Sequence, residues 1–141
     1  MRPRHIAILP LLALAPACKC IRPDDDALAR GVAHSEAGRY AAAVGAYEQV
    51  LDAHPASARV LDLYGEALLE TGDYAKSLDA CRRAQELDPA LPTAHSHAGQ
   101  ALVELGRYEE ARASFERALA LRPDDEHVQR YIALVDRRTG R

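Results

Sequence analysis

From Asp24 onward, apolar residues return every third or fourth position, the spacing that lays one stripe along an α-helix. Val128, Tyr131, Ile132 and Val135 fall at i, i+3, i+4 and i+7 and make such a stripe. Glycines and prolines punctuate the pattern at regular intervals. Read this way, the chain predicts helices near 24–37, 40–53, 57–70, 74–87, 91–104 and 108–121, and a closing helix near 125–137. The first residues behave differently. Ile6 to Ala15 is an apolar run with no polar face beside it, unlike a helix on a protein surface.

The punctuation is periodic. Gly38-Arg39-Tyr40, Gly72-Asp73-Tyr74 and Gly106-Arg107-Tyr108 recur 34 residues apart. With repeats set at 24–57, 58–91 and 92–125, the columns identical in all three copies include Gly31/Gly65/Gly99, Glu36/Glu70/Glu104, Gly38/Gly72/Gly106, Tyr40/Tyr74/Tyr108 and Pro55/Pro89/Pro123. A glycine inside a helix costs about 1 kcal/mol relative to alanine, so Gly31, Gly65 and Gly99 imply that a neighbouring backbone comes close. The small residues Ala43 and Ala111 offer it a matching surface. Gly38, Gly72 and Gly106 fit a helix end of positive φ. Tyr40, Tyr74 and Tyr108 place a large ring where the second helix starts, and Pro55, Pro89 and Pro123, just past that helix, stop it.

This order of small and large positions resembles the tetratricopeptide repeat, a helix–turn–helix unit of 34 residues. The resemblance covers residues 24–125. It implies an all-α fold, an α-solenoid of three hairpins, closed by a helix over 125–138 whose Arg130, Arg137 and Arg138 face solvent and which Asp124 or Asp125 can cap. The domain then spans 24–138. In the first copy, Arg30 and His34 stand where the family is apolar, so the first helix is expected to be frayed or turned toward another subunit. In this family the first helices line a concave groove. Its contact positions are here Asp25, Leu28, Val32, Ser35 and Glu36, then Arg59, Asp62, Glu66, Leu69 and Glu70, then Thr93, Ser96, Gln100, Val103 and Glu104. The expected partner-binding residues are Leu28, Val32, Arg59, Asp62, Glu66, Leu69, Ser96, Gln100 and Val103. Six acids stand against one base across the fifteen positions, and Arg59 alone does not make the family's carboxylate clamp. The expected partner is a neutral or basic protein segment. A plain solvated helix face is the competing reading of the acidic stripe.

Residues 1–17 read as an address. Arg2 and Arg4 precede the short apolar run, which ends in Ala15-Pro16-Ala17; these are the three parts of an export signal, and the run is too short to span a membrane. Leu14-Ala15-Pro16-Ala17-Cys18 resembles the lipobox of bacterial lipoproteins, although that pattern has leucine where Ala15 stands. The resemblance implies a lipid on Cys18, a linker over 18–23 and a site in the cell envelope. Ordinary secretion with cleavage at the same bond, and a cytosolic adaptor that is never cut, are the alternatives. Cys18-Lys19-Cys20 also admits a redox or metal role, but no second pair or nearby histidine completes a four-ligand set.

Composition narrows the classes further. The 141 residues carry a formal charge of −3, and losing Arg2 and Arg4 with the signal leaves 16 bases against 21 acids, or −5. That balance excludes a dedicated nucleic-acid binder. There are 28 alanines, one Phe and no Trp, a composition for closely packed helices rather than a β-sandwich. His95 and His97, two apart on a helix, point to different faces and do not converge on a metal. His95 falls at a packing position and His97 nearer the exposed side. Cys81 stands where the repeat places a ring, as a small buried hydrophobe. No catalytic or phosphate-cradling motif occurs, so no enzyme, cofactor or metal is expected. The function expected is a protein-interaction scaffold or adaptor, touching a membrane only through a lipid, with homo-oligomerisation open because three repeats is near the minimum for a stable stack. Mass spectrometry of the mature N-terminus checks the address. The expected species begins at a lipidated Cys18, and a soluble chain beginning at Met1 would show the signal reading to be wrong.

Overall fold

A computed structural model describes residues 23–141, which form seven α-helices. They are α1 (Pro23–Glu36), α2 (Tyr40–Ala53), α3 (Ala58–Thr71), α4 (Tyr74–Leu87), α5 (Pro92–Glu104), α6 (Tyr108–Leu121) and α7 (Glu126–Thr139). No strand occurs among the described residues. The export signal, Cys18 and Cys20 lie outside them.

The helix ends repeat as faithfully as the sequence. Gly38, Gly72 and Gly106 sit at φ +68°, +84° and +73°. Each donates its N–H to the carbonyl three residues back, and the next residue donates five back: Gly72 to Leu69 and Asp73 to Leu68, with the same pair of bonds at Gly38 and Gly106. This satisfies carbonyls the helix leaves unpaired and turns the chain sharply into the second helix.

The second helices stop at His54, Asp88 and Arg122, which precede Pro55, Pro89 and Pro123. A proline ring drives the residue before it out of the helical region, here to φ −133°, −139° and −139°. The prolines thus lie just past the second helices, where the sequence puts them. Pro123 is exposed in the turn beyond α6, and it bars the helix through Arg122 rather than at its own position. Its carbonyl accepts from Gln129 Nε2 at 3.0 Å, which ties that turn to α7. Helix starts are less uniform. Ser57 caps α3, Pro92 opens α5, and Asp125 accepts from the N–H groups of His127 and Val128 to cap α7.

Each helix packs on the next, and in addition α3 reaches α5 and α5 reaches α7. The second helices α4 and α6 make no comparable contact with each other and leave an open cleft between them, lined by Arg82, Gln85, Ser114 and Arg117. From α3 onward the first helices draw together while α4 and α6 splay, which curves the stack with the first helices and α7 on its inner side.

Within each hairpin the close approach is made by a side chain. A Cβ built on Gly31 would stand 2.5 Å from the Tyr47 ring, and one on Gly99 would stand 2.6 Å from the Phe115 ring. On Gly65 it would meet the Cys81 sulfur at 2.6 Å. Tyr47, Cys81 and Phe115 are completely buried. The expectation of bare backbone against Ala43 and Ala111 is corrected accordingly: those alanines are buried, but the missing Cβ makes room for the large residue one turn further along the second helix. The second repeat comes nearest to the backbone version. There Ser77 Oγ donates to the Gly65 carbonyl at 2.7 Å.

The first helix also departs from expectation. Ala27 and Gly31 are buried against α2, and Ser35 Oγ lies 3.2 Å from the Tyr47 hydroxyl. Arg30 and His34 sit on its outer edge, where Arg30 bonds Gln49 and Asp26, and His34 accepts from Arg39. Polar residues on that edge cost the packing nothing, and α1 packs on α2 as α3 packs on α4, although it makes no comparable contact with α3. At the other end Phe115 stacks on Tyr131, centroids 5.1 Å apart, and Val128 and Val135 close the core. Arg130, Arg137 and Arg138 face solvent.

Gly65→Ala is expected to destabilise the fold by about 1–3 kcal/mol, the usual range for overpacking. Adding Cys81→Ala removes the atom the new methyl strikes. The double variant is then expected to be more stable in urea denaturation than the sum of the two single changes implies.

Candidate functional site: the concave face

The inner helices bring the expected contact residues to one side, in two classes. Leu28, Val32, Leu69 and Val103 are half-buried and pack their inner edges on the core. Arg59, Glu66 and Glu70 are exposed, as are Glu36 and Glu104. Two members of the expected set play a different part. Asp62 is 7% exposed and Ser96 8% exposed. The Asp62 carboxylate accepts from Thr93 Oγ1 and, at 2.8 Å, from His97 Nδ1, both on α5. Ser96 Oγ accepts from Gln100 Nε2 at 3.5 Å, and Gln100 Oε1 accepts from the Tyr131 hydroxyl at 3.4 Å. These polar groups are committed to joining the inner helices and form the floor of the groove.

The sequence places His97 nearer the exposed side, and the fold corrects this. Its side chain is only 16% exposed, because it turns back across the α3–α5 seam to Asp62. His95 does take a packing position. Its Nε2 donates to the Pro89 carbonyl at 2.9 Å, tying α5 to the end of α4. The two rings do not converge, and no group of three or more His, Cys, Asp or Glu side chains among the described residues is placed to hold a metal. No helix among them is long and apolar enough to cross a membrane.

The exposed glutamates act on shared targets. Burial pushes the Tyr47 hydroxyl upward, and Glu66 and Glu36 push it the same way against the Ser35 hydrogen bond. Burial pulls the His97 imidazole down, but the hydrogen bond and charge of Asp62, helped by Glu66 and Glu70, outweigh it and hold the group above its usual value. Tyr131 is raised by burial and then by Glu104 and Glu70. Tyr47, His97 and Tyr131 therefore link Glu36, Glu66, Glu70 and Glu104 into one negative line across all three repeats. None of these four carboxylates is in an ion pair among the described residues. Elsewhere, many acids have a basic neighbour: Glu110 pairs with Arg107 and Arg82, Asp136 and Glu116 with Arg112, and Asp73 with Lys76.

The fold and this face define a class, the helical-hairpin solenoid with a concave inner surface. The repeats are tetratricopeptide repeats: models of that repeat match residues 28–92 and 68–135, together most of the chain. No curated protein matches the sequence. Among solved structures, the chain is similar to the Arabidopsis OM64 TPR domain, with 24% identity and a TM-score of 0.79 over 81% of this chain and 94% of that one. It is similar to the first TPR of Spaghetti (RPAP3) bound to the HSP90 peptide SRMEEVD, with 22% identity and a TM-score of 0.80 over 84% and 94%. It is also similar to the second TPR domain of human RPAP3 in complex with the HSP70 peptide SGPTIEEVD, with 25% identity and a TM-score of 0.74 over 78% and 92%.

The described cysteine, Cys81, is free and fully buried, and burial pushes its thiol up to about 12. A thiol so rarely ionised is a poor nucleophile. Native protein is expected to leave Cys81 unlabelled by iodoacetamide at pH 8 over hours, and to label it fully in denaturant, as read by peptide mass spectrometry.

Proposed function

We propose that the protein is a non-enzymatic scaffold or adaptor that holds a neutral or basic segment of another protein along its concave face. The single observation that carries this reading is the line of Glu36, Glu66, Glu70 and Glu104. Four exposed carboxylates run along one face with no ion-pair partner among the described residues, while half-buried Leu28, Val32, Leu69 and Val103 lie beside them. A cationic segment laid there gains charge complementarity along its whole length and apolar contact beneath. Two of the similar structures carry peptides ending in EEVD. Arg59 is the one base among the fifteen contact positions here, so an acidic tail of that kind fits poorly.

The proposed setting is the bacterial cell envelope. The export signal over 1–17 and a lipid on Cys18 would tether the stack to a membrane, and a secreted form without lipid is the rival within the same reading. Both rest on the sequence of the N-terminal segment.

The test is retention of partners from an envelope extract on the wild-type chain and on a Glu66→Lys, Glu70→Lys variant, followed by titration calorimetry with a lysine-rich and an acidic peptide. The lysine-rich peptide is expected to bind wild type and to lose roughly tenfold in affinity, about 1.4 kcal/mol, on charge reversal. Raised salt should weaken it similarly. Equal binding of both peptides, or unchanged partners on reversal, would overturn the assignment of the groove.

A further inference from the structure

We infer that Asp62 and His97 form a proton-operated clasp between the second and third repeats, so that protonation tightens the stack and deprotonation loosens it. The geometry carries this. Asp62 lies on α3 and His97 on α5, in neighbouring hairpins, and both side chains are nearly covered, at 10% and 16% exposure. The imidazole Nδ1 donates to one carboxylate oxygen at 2.8 Å, and Thr93 occupies the other. These bonds cross the seam where α3 and α5 meet directly, on the inner side of the stack, while Gln85, His95 and Arg82 tie the same two units elsewhere.

The surroundings set the sign. The groups of α3 that face His97 are all acidic: Asp62, then Glu66 and Glu70 along the same helix. On α4 the Cys81 thiol feels the Asp62 charge and stays neutral. On α7 the Tyr131 hydroxyl is turned to Gln100, and burial with Glu104 and Glu70 raises it, so it stays protonated. The charges that act on His97 among the described residues are the three carboxylates of α3, so the imidazolium answers a negative pocket. Asp62 and His97⁺ then attract as ions, whereas Asp62 and neutral His97 keep only a hydrogen bond. A histidine held above its ordinary value in the folded chain stabilises fully below about pH 6.5, and that contribution fades as pH rises through the folded value. The clasp belongs to the stack and stands whether or not the groove binds a basic segment.

The test reads His97 directly. In proton NMR of the intact chain, the His97 ring signal is expected to titrate above pH 6.5, and Asp62→Asn is expected to move its midpoint down. Melting temperature, followed by circular dichroism from pH 5.5 to 8.5, is expected to fall by several degrees more in wild type than in His97→Gln, which can still donate to Asp62. A His97 midpoint at or below 6.5, unchanged by Asp62→Asn, would overturn the clasp. So would parallel melting profiles for wild type and His97→Gln. If either variant is too unstable to melt cooperatively, the wild-type NMR midpoint alone decides.

Discussion

Everything in this molecule depends on a large side chain pressed into the space a glycine leaves. Tyr47 against Gly31 and Phe115 against Gly99 are the clearest cases. The glycine costs its helix about 1 kcal/mol, and burying a large apolar side chain returns roughly 1.5–3. The balance favours the pair, but only while the two helices stay at one separation and one register. The contact therefore fixes hairpin geometry more than it adds stability. Cys81 fills the same column with far less volume. The second hairpin makes up part of the difference with the buried hydrogen bond from Ser77 to the Gly65 carbonyl.

With each hairpin fixed, curvature follows from which helices meet. From α3 onward the inner helices approach one another across the repeats, and the outer ones do not. The chemistry of the two surfaces divides along the same line. On the outer side and at the cap, arginines bridge repeats: Arg82 of α4 reaches Glu110 of α6, and Arg112 of α6 reaches Asp136 of α7. At the contact positions of α1, α3 and α5 the exposed charges are all negative but for Arg59, and they carry no bridges among the described residues.

The floor of that groove is not a passive surface. Asp62, Thr93, His97, Ser96, Gln100 and Tyr131 form two short hydrogen-bonded sets that run from α3 to α5 and from α5 to α7. No buried polar side-chain atom among the described residues lacks a partner. Polar residues at these positions give the inner seam a directional component that alanine-rich packing lacks, since apolar contact alone tolerates sliding.

The helices, their ends and their order were legible in the residues because each rests on local chemistry. A glycine needed at positive φ, a proline that bars the helix before it and an apolar stripe at helical spacing all act within a few positions of themselves. Copying them at a period of 34 made the architecture readable as well. The acidic column was legible for the same reason, since Glu36, Glu70 and Glu104 stand at identical places in identical units. The bond between Asp62 and His97 was not. It joins position five of one repeat to position six of the next, and neither residue recurs in the other copies. Whether two such side chains meet is set by the angle and offset between neighbouring hairpins, which no single helix encodes. The same packing decided that Arg30 and His34 lie outside and that Asp62 and Ser96 lie beneath the surface. Periodicity assigns a residue to a face, but a face becomes floor or rim only when the next unit arrives to cover it.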